Sequence, residues 1–186
     1  MSTLSNSRYH HGNLRQALLE AALVILAKEG EAGLGLRDLA RAVGVSPAAP
    51  YRHFDSRAAL LEALAVTGFQ RFTARMEAVA ASEPDNPLAA MGKTYVVFAL
   101  QNPNLFRLMF SPQLKKAARP GLAMAADAAF DTLRRVVSDS SAEGRIKALS
   151  AWAKVHGLAV LLLDGQIAIG AGEDTEALIA EIISSL

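Results

Sequence analysis

The sequence predicts an all-α protein, with a small three-helix domain at its N-terminal end and a larger helical domain after it. Three observations carry this. Apolar residues recur at i, i+3, i+4 and i+7 in one segment after another, and no stretch alternates with period two as a half-buried strand does. A capping residue followed by proline marks a helix start, and it occurs four times, at Ser46-Pro47, Asn86-Pro87, Asn102-Pro103 and Ser111-Pro112. The stretch Gly35–Arg57, GLRDLARAVGVSPAAPYRHFDSR, reads as two short helices about a tight turn.

Met1–Gly12 is a polar arm containing Arg8, Tyr9, His10 and His11. It is either a disordered tail or an arm whose Arg8–His11 part touches phosphates or a minor groove. Asn13 opens the first helix, with Gln16 at capping-box distance. Leu14, Leu18, Ala21 and Ile25 form its expected buried stripe, and Gly30 ends it.

In the central stretch, Leu36, Leu39, Ala40 and Val43 share one helix face. Gly44 follows, where a helix stop favours a residue that tolerates the left-handed conformation. Val45 plugs the corner, Ser46 caps a second helix and Pro47 takes its first position. Pro50 and Phe54 are four apart and share a buried face, which leaves Tyr51, Arg52 and His53 pointing elsewhere. Pro50 removes that helix's first backbone bond, so packing rather than propensity must hold it. An ordinary helical hairpin has the same spacing. The residue types favour a helix-turn-helix whose second helix enters the DNA major groove, because Tyr51, Arg52, His53 and Arg57 cluster with only Asp55 opposing them. In this reading Pro47–Arg52 lies in the groove and Arg52 reads a base edge. Ala48 and Ala49 offer methyl contacts to thymine, and Tyr51, His53 and Arg57 hold phosphates. Arg37 and Ser46 complete the candidate DNA-binding set.

The run from Leu26 to Leu61 closely resembles the N-terminal domain of the TetR (tetracycline-repressor) family of bacterial transcription regulators. The matching pieces are Ala27–Gly30, Asp38-Leu39-Ala40 with Val43-Gly44-Val45-Ser46, Tyr51–Phe54 and Arg57–Leu61. Gly35 stands where the family often has a Thr or Ser that caps the second helix and touches phosphate. Arg57 replaces the usual Lys and keeps its charge. The resemblance implies a flexible arm (1–12), a helix-turn-helix DNA-binding domain (13–58) and a helical ligand-binding and dimerisation domain (59–186). It further implies a ligand-responsive homodimer, most often a repressor, on a palindromic operator.

Asp55 or Ser56 is expected to cap a long helix to about Ser82, with Leu60, Leu61, Leu64, Phe69, Phe72, Met76 and Val79 at helical spacing. Such a helix would join the two domains. After a break at Glu83–Pro87, helices are expected from Pro87, Pro103 and Pro112. An Ala-rich helix follows Pro120-Gly121 to about Val137, and Ser140 with Glu143 forms a capping box for a helix to about Asp164. A glycine-rich link, Gly165–Gly172, precedes a last helix from about Thr175.

Tyr95, Phe98, Phe106, Met109, Phe110 and Trp152 concentrate the aromatic and thioether groups of this half, and they suit an apolar cavity for a small apolar effector. Plain core is the competing reading. The stretch Trp152–Gly157, WAKVHG, resembles the Trp…His-Gly signature of one C-terminal domain type in TetR-family regulators, which adds His156 as a ligand contact or a core histidine. Leu158, Leu161, Leu162, Leu178, Ile179, Ile182 and Ile183 are the candidate dimer interface, since they carry more apolar surface than a small domain needs to close its own core. The family resemblance implies a four-helix interface from these last two helices.

Composition narrows the classes. Of 186 residues 52% are hydrophobic, with a mean hydropathy of +0.23, which is rich for a monomer and fits an oligomer interface or a pocket. Aromatics are 6%, against a single-strand-binding protein built on stacked bases. There is no cysteine, which excludes disulfides, thiolate metal sites and thiol catalysis. Net charge is +1, and residues 1–57 hold seven Lys/Arg against five acids, consistent with local DNA contacts rather than bulk coating. The apolar run Leu158–Leu163 is far too short for a membrane span, so a cytoplasmic protein without membrane contact is expected. Without HExxH, a phosphate-binding glycine loop or clustered His and acids, neither an enzyme nor a metal or other cofactor is expected. The alternative to DNA binding is a helical ligand-binding or interaction module.

Overall fold

The computed structural model describes residues 14–114, 118–137, 141–170, 172 and 174–184. Eight α-helices follow one another and no strand occurs among the described residues, as the sequence predicts. They are α1 (Leu14–Glu29), α2 (Leu36–Val43), α3 (Arg57–Ser82), α4 (Pro87–Gln101), α5 (Pro103–Met109), α6 (Pro120–Val137), α7 (Ala142–Leu163) and α8 (Thr175–Ser184). The chain divides into two compact units with the boundary after Leu61.

The first unit closes on Leu18, Leu19, Ala22 and Leu26 of α1, Leu36, Leu39, Ala40 and Val43 of α2, and Leu34, Pro50 and Phe54 between helices. The α1 stripe is rotated by one position from the expected one: Leu14, Ala21 and Ile25 are only half-buried. Leucine and alanine stand on both sides of that helix, so spacing alone left its rotation open. Gly44 ends α2 at φ +74°, and the Val45 N–H donates to the Ala40 carbonyl at 3.0 Å. A side chain at Gly44 would meet nothing within 4 Å, so conformation rather than space requires glycine there.

The second unit packs α4 against α7 and α8, with α6 across α7. Its centre is a lattice of rings at edge-on angles. Phe72 lies 5.1 Å from Tyr95 and 5.2 Å from Phe98, and Phe69 lies 5.5 Å from Phe110. Gly92 lets α4 approach closely, since a Cβ there would stand 3.1 Å from Ile183 and 3.4 Å from Val155. Ion pairs staple the exterior: Arg135 to Glu77 at 2.7 Å, Lys93 to Glu176 at 3.0 Å, and Arg119 to Glu62. Arg107 donates to the Leu163 carbonyl at 3.0 Å and to Asp164, closing the end of α7.

One expected helix start resolves between its two candidates and two others differ. Ser56 rather than Asp55 caps α3, accepting from the Ala59 N–H at 3.2 Å. Ser141 caps α7, accepting from Gly144 N–H at 3.2 Å, while Ser140 lies outside the described residues, as do Asn13 and the arm. Ser111-Pro112 opens a turn, with the Leu114 N–H on the Ser111 carbonyl at 3.1 Å and the Gln113 N–H on the Ser111 hydroxyl at 3.3 Å. The hydroxyl that was expected to cap a helix closes a local turn instead. By length and composition α7 is also apolar enough to cross a membrane, although single charges interrupt its apolar runs. Only 17% of that stretch is buried within the chain.

Candidate DNA interface and ligand cavity

Backbone bonding around Pro50 shapes the first site. Without an N–H, Pro50 cannot bond back to Ser46. The Ala49 N–H takes the Ser46 carbonyl at 2.9 Å, the Arg52 N–H takes Ala49 at 3.2 Å and His53 takes Pro50 at 3.0 Å. The expected second helix is therefore a chain of tight turns with one 3₁₀ segment, Pro50–Arg52. Buried Pro50 and Phe54 anchor it, and Phe54 returns a bond to the Pro50 carbonyl at 2.9 Å. Ser46, Pro47, Ala48, Arg52 and His53 are exposed, Tyr51 is 47% exposed, and Ala49 is half-buried. Arg37 is exposed on α2.

Arg57 is engaged within the first unit. Its Nε–H donates to the Leu34 carbonyl at 2.8 Å, Nη2 donates to the Glu31 carbonyl, and Nη1 lies 3.4 Å from the Glu31 carboxylate. This arginine ties the loop after α1 to the first turn of α3, a bracing geometry that a lysine's single ammonium does not reproduce. Gly35 makes no side-chain cap, and the Asp38 carboxylate fills its place, 2.7 Å from where a Cβ would stand.

The second site is a cavity of about 680 Å³ within the second unit. Phe69, Phe72 and Met76 of α3, Met91 and Tyr95 of α4, Phe110, Phe130 and Leu133 of α6, and Trp152 of α7 form its apolar wall. Asn86, Asp127, Lys147, Ser150 and Lys154 supply its polar groups. Of the seven expected ligand residues, Tyr95, Phe110 and Trp152 line it. Phe98, Phe106 and Met109 are 2%, 2% and 1% exposed and belong to the core, not to the wall. His156 stands behind the wall, 2.7 Å from the Tyr95 hydroxyl and with its ring 4.7 Å from Phe110. The Trp152 indole N–H donates to the same hydroxyl at 3.2 Å. Burial pushes the Tyr95 phenol well above its ordinary value, so it stays neutral. Reading the C-terminal half alone missed Phe69, Phe72, Met76 and Phe130; the first three were legible only as a helix stripe.

The seven candidate interface residues separate. Leu158 and Ile179 are 7% and 1% exposed and finish the unit's own core, while Ile183 lines the cavity. Leu162, Leu178 and Ile182 are half-buried, and Leu161 is 44% exposed beside exposed Val160. No cluster of three or more His, Cys, Asp or Glu suited to a metal occurs among the described residues.

Residues 18–64 match the family profile described as bacterial regulatory proteins, tetR family, and residues 88–186 match the tetracyclin repressor-like C-terminal domain. Among curated relatives, nucleoid occlusion factor SlmA of Aliivibrio fischeri is 35% identical over 100 residues, 52% of this chain and 51% of that protein. The chain thus spans about half the length of the curated relatives it matches. A Rhodococcus sp. RHA1 protein of unknown function is 36% identical with a TM-score of 0.79, over 96% of this chain and 94% of that one. The regulator FadR of Bacillus subtilis, solved in complex with stearoyl-CoA, shares the fold at 15% identity and a TM-score of 0.70, over 91% and 96% of the chains. With more than half of its length inside one family profile and residues 18–64 matched by another, the chain belongs to the TetR family of bacterial regulatory proteins.

Proposed function

We propose that this protein is a DNA-binding transcriptional regulator, non-enzymatic and cytoplasmic, which binds a near-palindromic operator as a homodimer and releases it when a small, mostly apolar effector fills the cavity of its second unit. The observation that carries this reading is the surface from Ser46 to His53, where a proline-tightened turn turns its apolar side inward and leaves Tyr51, Arg52 and His53 exposed. Arg52 is the base reader, Tyr51 and His53 hold phosphates, Ala48 offers a methyl, and Arg37 and Ser46 flank them. Arg57 braces the unit that carries this surface, through Glu31 and Leu34.

One such surface reads few base pairs, so two copies spaced about one DNA turn apart are needed for useful discrimination. Leu161 and Val160, with half-buried Leu162, Leu178 and Ile182, supply the apolar face that joins them. The cavity volume and its ring-and-thioether wall fit a drug-sized apolar molecule, and Met76 and Met91 allow it to adapt. The test is a mobility shift with DNA flanking the protein's own gene, with random DNA as competitor and across salt. A sequence-selective complex with a steep negative salt slope is expected. Equal affinity for flanking and random DNA would overturn the regulator reading in favour of a module without specific DNA binding.

A further inference from the structure

The residues that line the cavity grade from buried to exposed. Phe69, Phe72, Met76, Met91 and Tyr95 are each 5% exposed or less and close its deep end with rings and thioethers. Asn86, Asp127, Lys147, Ser150 and Lys154 also line it and are exposed, so these polar groups stand at its rim. The Tyr95 hydroxyl at the deep end already bonds to the Trp152 indole N–H at 3.2 Å and to His156 at 2.7 Å. A charged group driven to that end would lose its hydration and meet no opposite charge, whereas at the rim it keeps water on one side. An effector therefore lies with its apolar body inward and any charged group outward.

The rim sets the sign of that group. Lys147, Ser150 and Lys154 stand at i, i+3 and i+7 on one face of α7, so two ammonium groups flank a hydroxyl. Seven residues of helix put the two lysines about 10 Å apart along the axis, within reach of two flexible stems that converge on one head group. Asp127 of α6 opposes them, and the lining carries two cations against one acid. Glu143, which pairs with Lys147 at 3.0 Å, does not line the cavity, and both side chains of that pair are more than half exposed. Such a pair is weak in water and yields to an acid held beside both lysines. We infer that the effector is an amphipathic anion, with an apolar body in the deep end and a carboxylate or phosphate ester at the rim, held by Lys147 and Lys154 with Ser150 donating between them. The inference rests on the apolar-effector reading above and names the polar end which that reading leaves open.

Trp152, the only tryptophan, lines the cavity and reports on its occupancy. The experiment follows its emission while the intact protein is titrated with dodecanoate, dodecyl phosphate, dodecanol and dodecyltrimethylammonium, each below its micelle-forming concentration. The alcohol leaves water more readily than the ionised acids, so an acid advantage comes from the rim. The expected result is that both acids bind several-fold more tightly than the alcohol, that this advantage shrinks as salt rises, and that the ammonium compound binds most weakly. The tighter of the two acids tells which head group the rim takes. In Lys147→Gln with Lys154→Gln the ratio of acid to alcohol affinity should fall close to one. Arg145→Gln removes an exposed cation of the same helix that does not line the cavity, and there the ratio should stay at its wild-type value. An alcohol that binds as tightly as the acids would overturn the anionic class and leave the apolar-effector reading intact. Tighter binding of the ammonium compound would overturn it in favour of Asp127 as the residue that sets the charge. An acid advantage that survives the double variant would remove the two lysines from the site. Binding of none of the four would overturn the inference together with the reading beneath it. If the double variant fails to fold, the two single variants decide, each by a ratio lowered part-way.

Discussion

The Tyr95 hydroxyl lies 2.7 Å from His156 Nδ1, and a third residue bonds to the same oxygen. The Trp152 indole N–H can only donate, and it donates to the Tyr95 oxygen at 3.2 Å. The phenol oxygen takes that bond and still pairs with His156 Nδ1, as donor or acceptor according to the imidazole tautomer. Three residues on two helices thus satisfy one another's polar atoms behind an otherwise apolar wall.

Removing the shared oxygen takes one hydrogen-bond partner from each neighbour. Tyr95→Phe keeps the ring lattice with Phe72 and Phe106 but leaves the Trp152 N–H and His156 Nδ1 without this partner. A loss of about 1–3 kcal/mol is expected in denaturant unfolding. Trp152 emission should shift as its hydrogen bond is lost. A stability change near zero would mean that water or an effector replaces the hydroxyl readily.

The same residue sets a pH dependence. Burial, opposed by the weaker effect of the Trp152 bond, raises the Tyr95 pKa above the ordinary 10.0. The neutral phenol is thus favoured in the folded state. Its contribution is fully present below pH 10.0 and is lost as pH rises through and beyond that value, because the unfolded chain ionises first. Denaturation midpoints of wild type minus Tyr95→Phe, followed upward from neutral pH, should be flat and then fall. A difference that stays constant into strong alkali would contradict the burial effect.

At Arg57, stability and DNA binding should change together. Arg57→Ala removes three bonds to Glu31 and Leu34, and about 1–2 kcal/mol should be lost, discounted because the side chain is 46% exposed. Binding to all DNA sequences should weaken in step with melting temperature. Arg57→Lys should recover little stability, since one ammonium cannot span both carbonyls. Full recovery of binding by lysine, with stability still lowered, would return this position to a direct phosphate role.

Arg52→Ala is expected to relax base preference by about 1–3 kcal/mol at one base pair while Tyr51→Phe weakens binding uniformly. Comparing operator and random DNA for each variant separates the two roles. Equal losses on both DNAs for Arg52→Ala would take it out of base reading.

The two apolar helices near the C-terminus should respond oppositely to charge. Leu161→Asp sits on an exposed position and should cost the monomer about 0.5 kcal/mol or less. Ile179→Asp places a carboxylate where the side chain is 1% exposed and should unfold the second unit or drive that carboxyl to stay protonated. Circular dichroism and melting of the two variants check this. A folded, stable Ile179→Asp protein would place α8 differently.

Much of this protein follows from local chemistry and is written in the chain. Helical spacing with cap-proline starts gives the all-α class, and Pro87, Pro103 and Pro120 begin helices because a proline lacks an N–H only where none is needed. Gly44 marks the turn of the first unit for an equally local reason, its positive φ. What the sequence leaves open is rotation and partnership. Leu158 and Leu161 look alike as letters, and so do Ile179 and Ile182; only packing on neighbouring helices decides which of each pair is buried. The cavity was half visible for the same reason. Phe98, Phe106 and Met109 have the residue types of a ligand wall but face the core, whereas Phe69, Phe72 and Met76, far away in sequence, complete the wall from α3. Arg57 shows the limit most plainly: its charge and position suit a phosphate, and the Glu31 and Leu34 carbonyls that engage it become neighbours only when the chain folds.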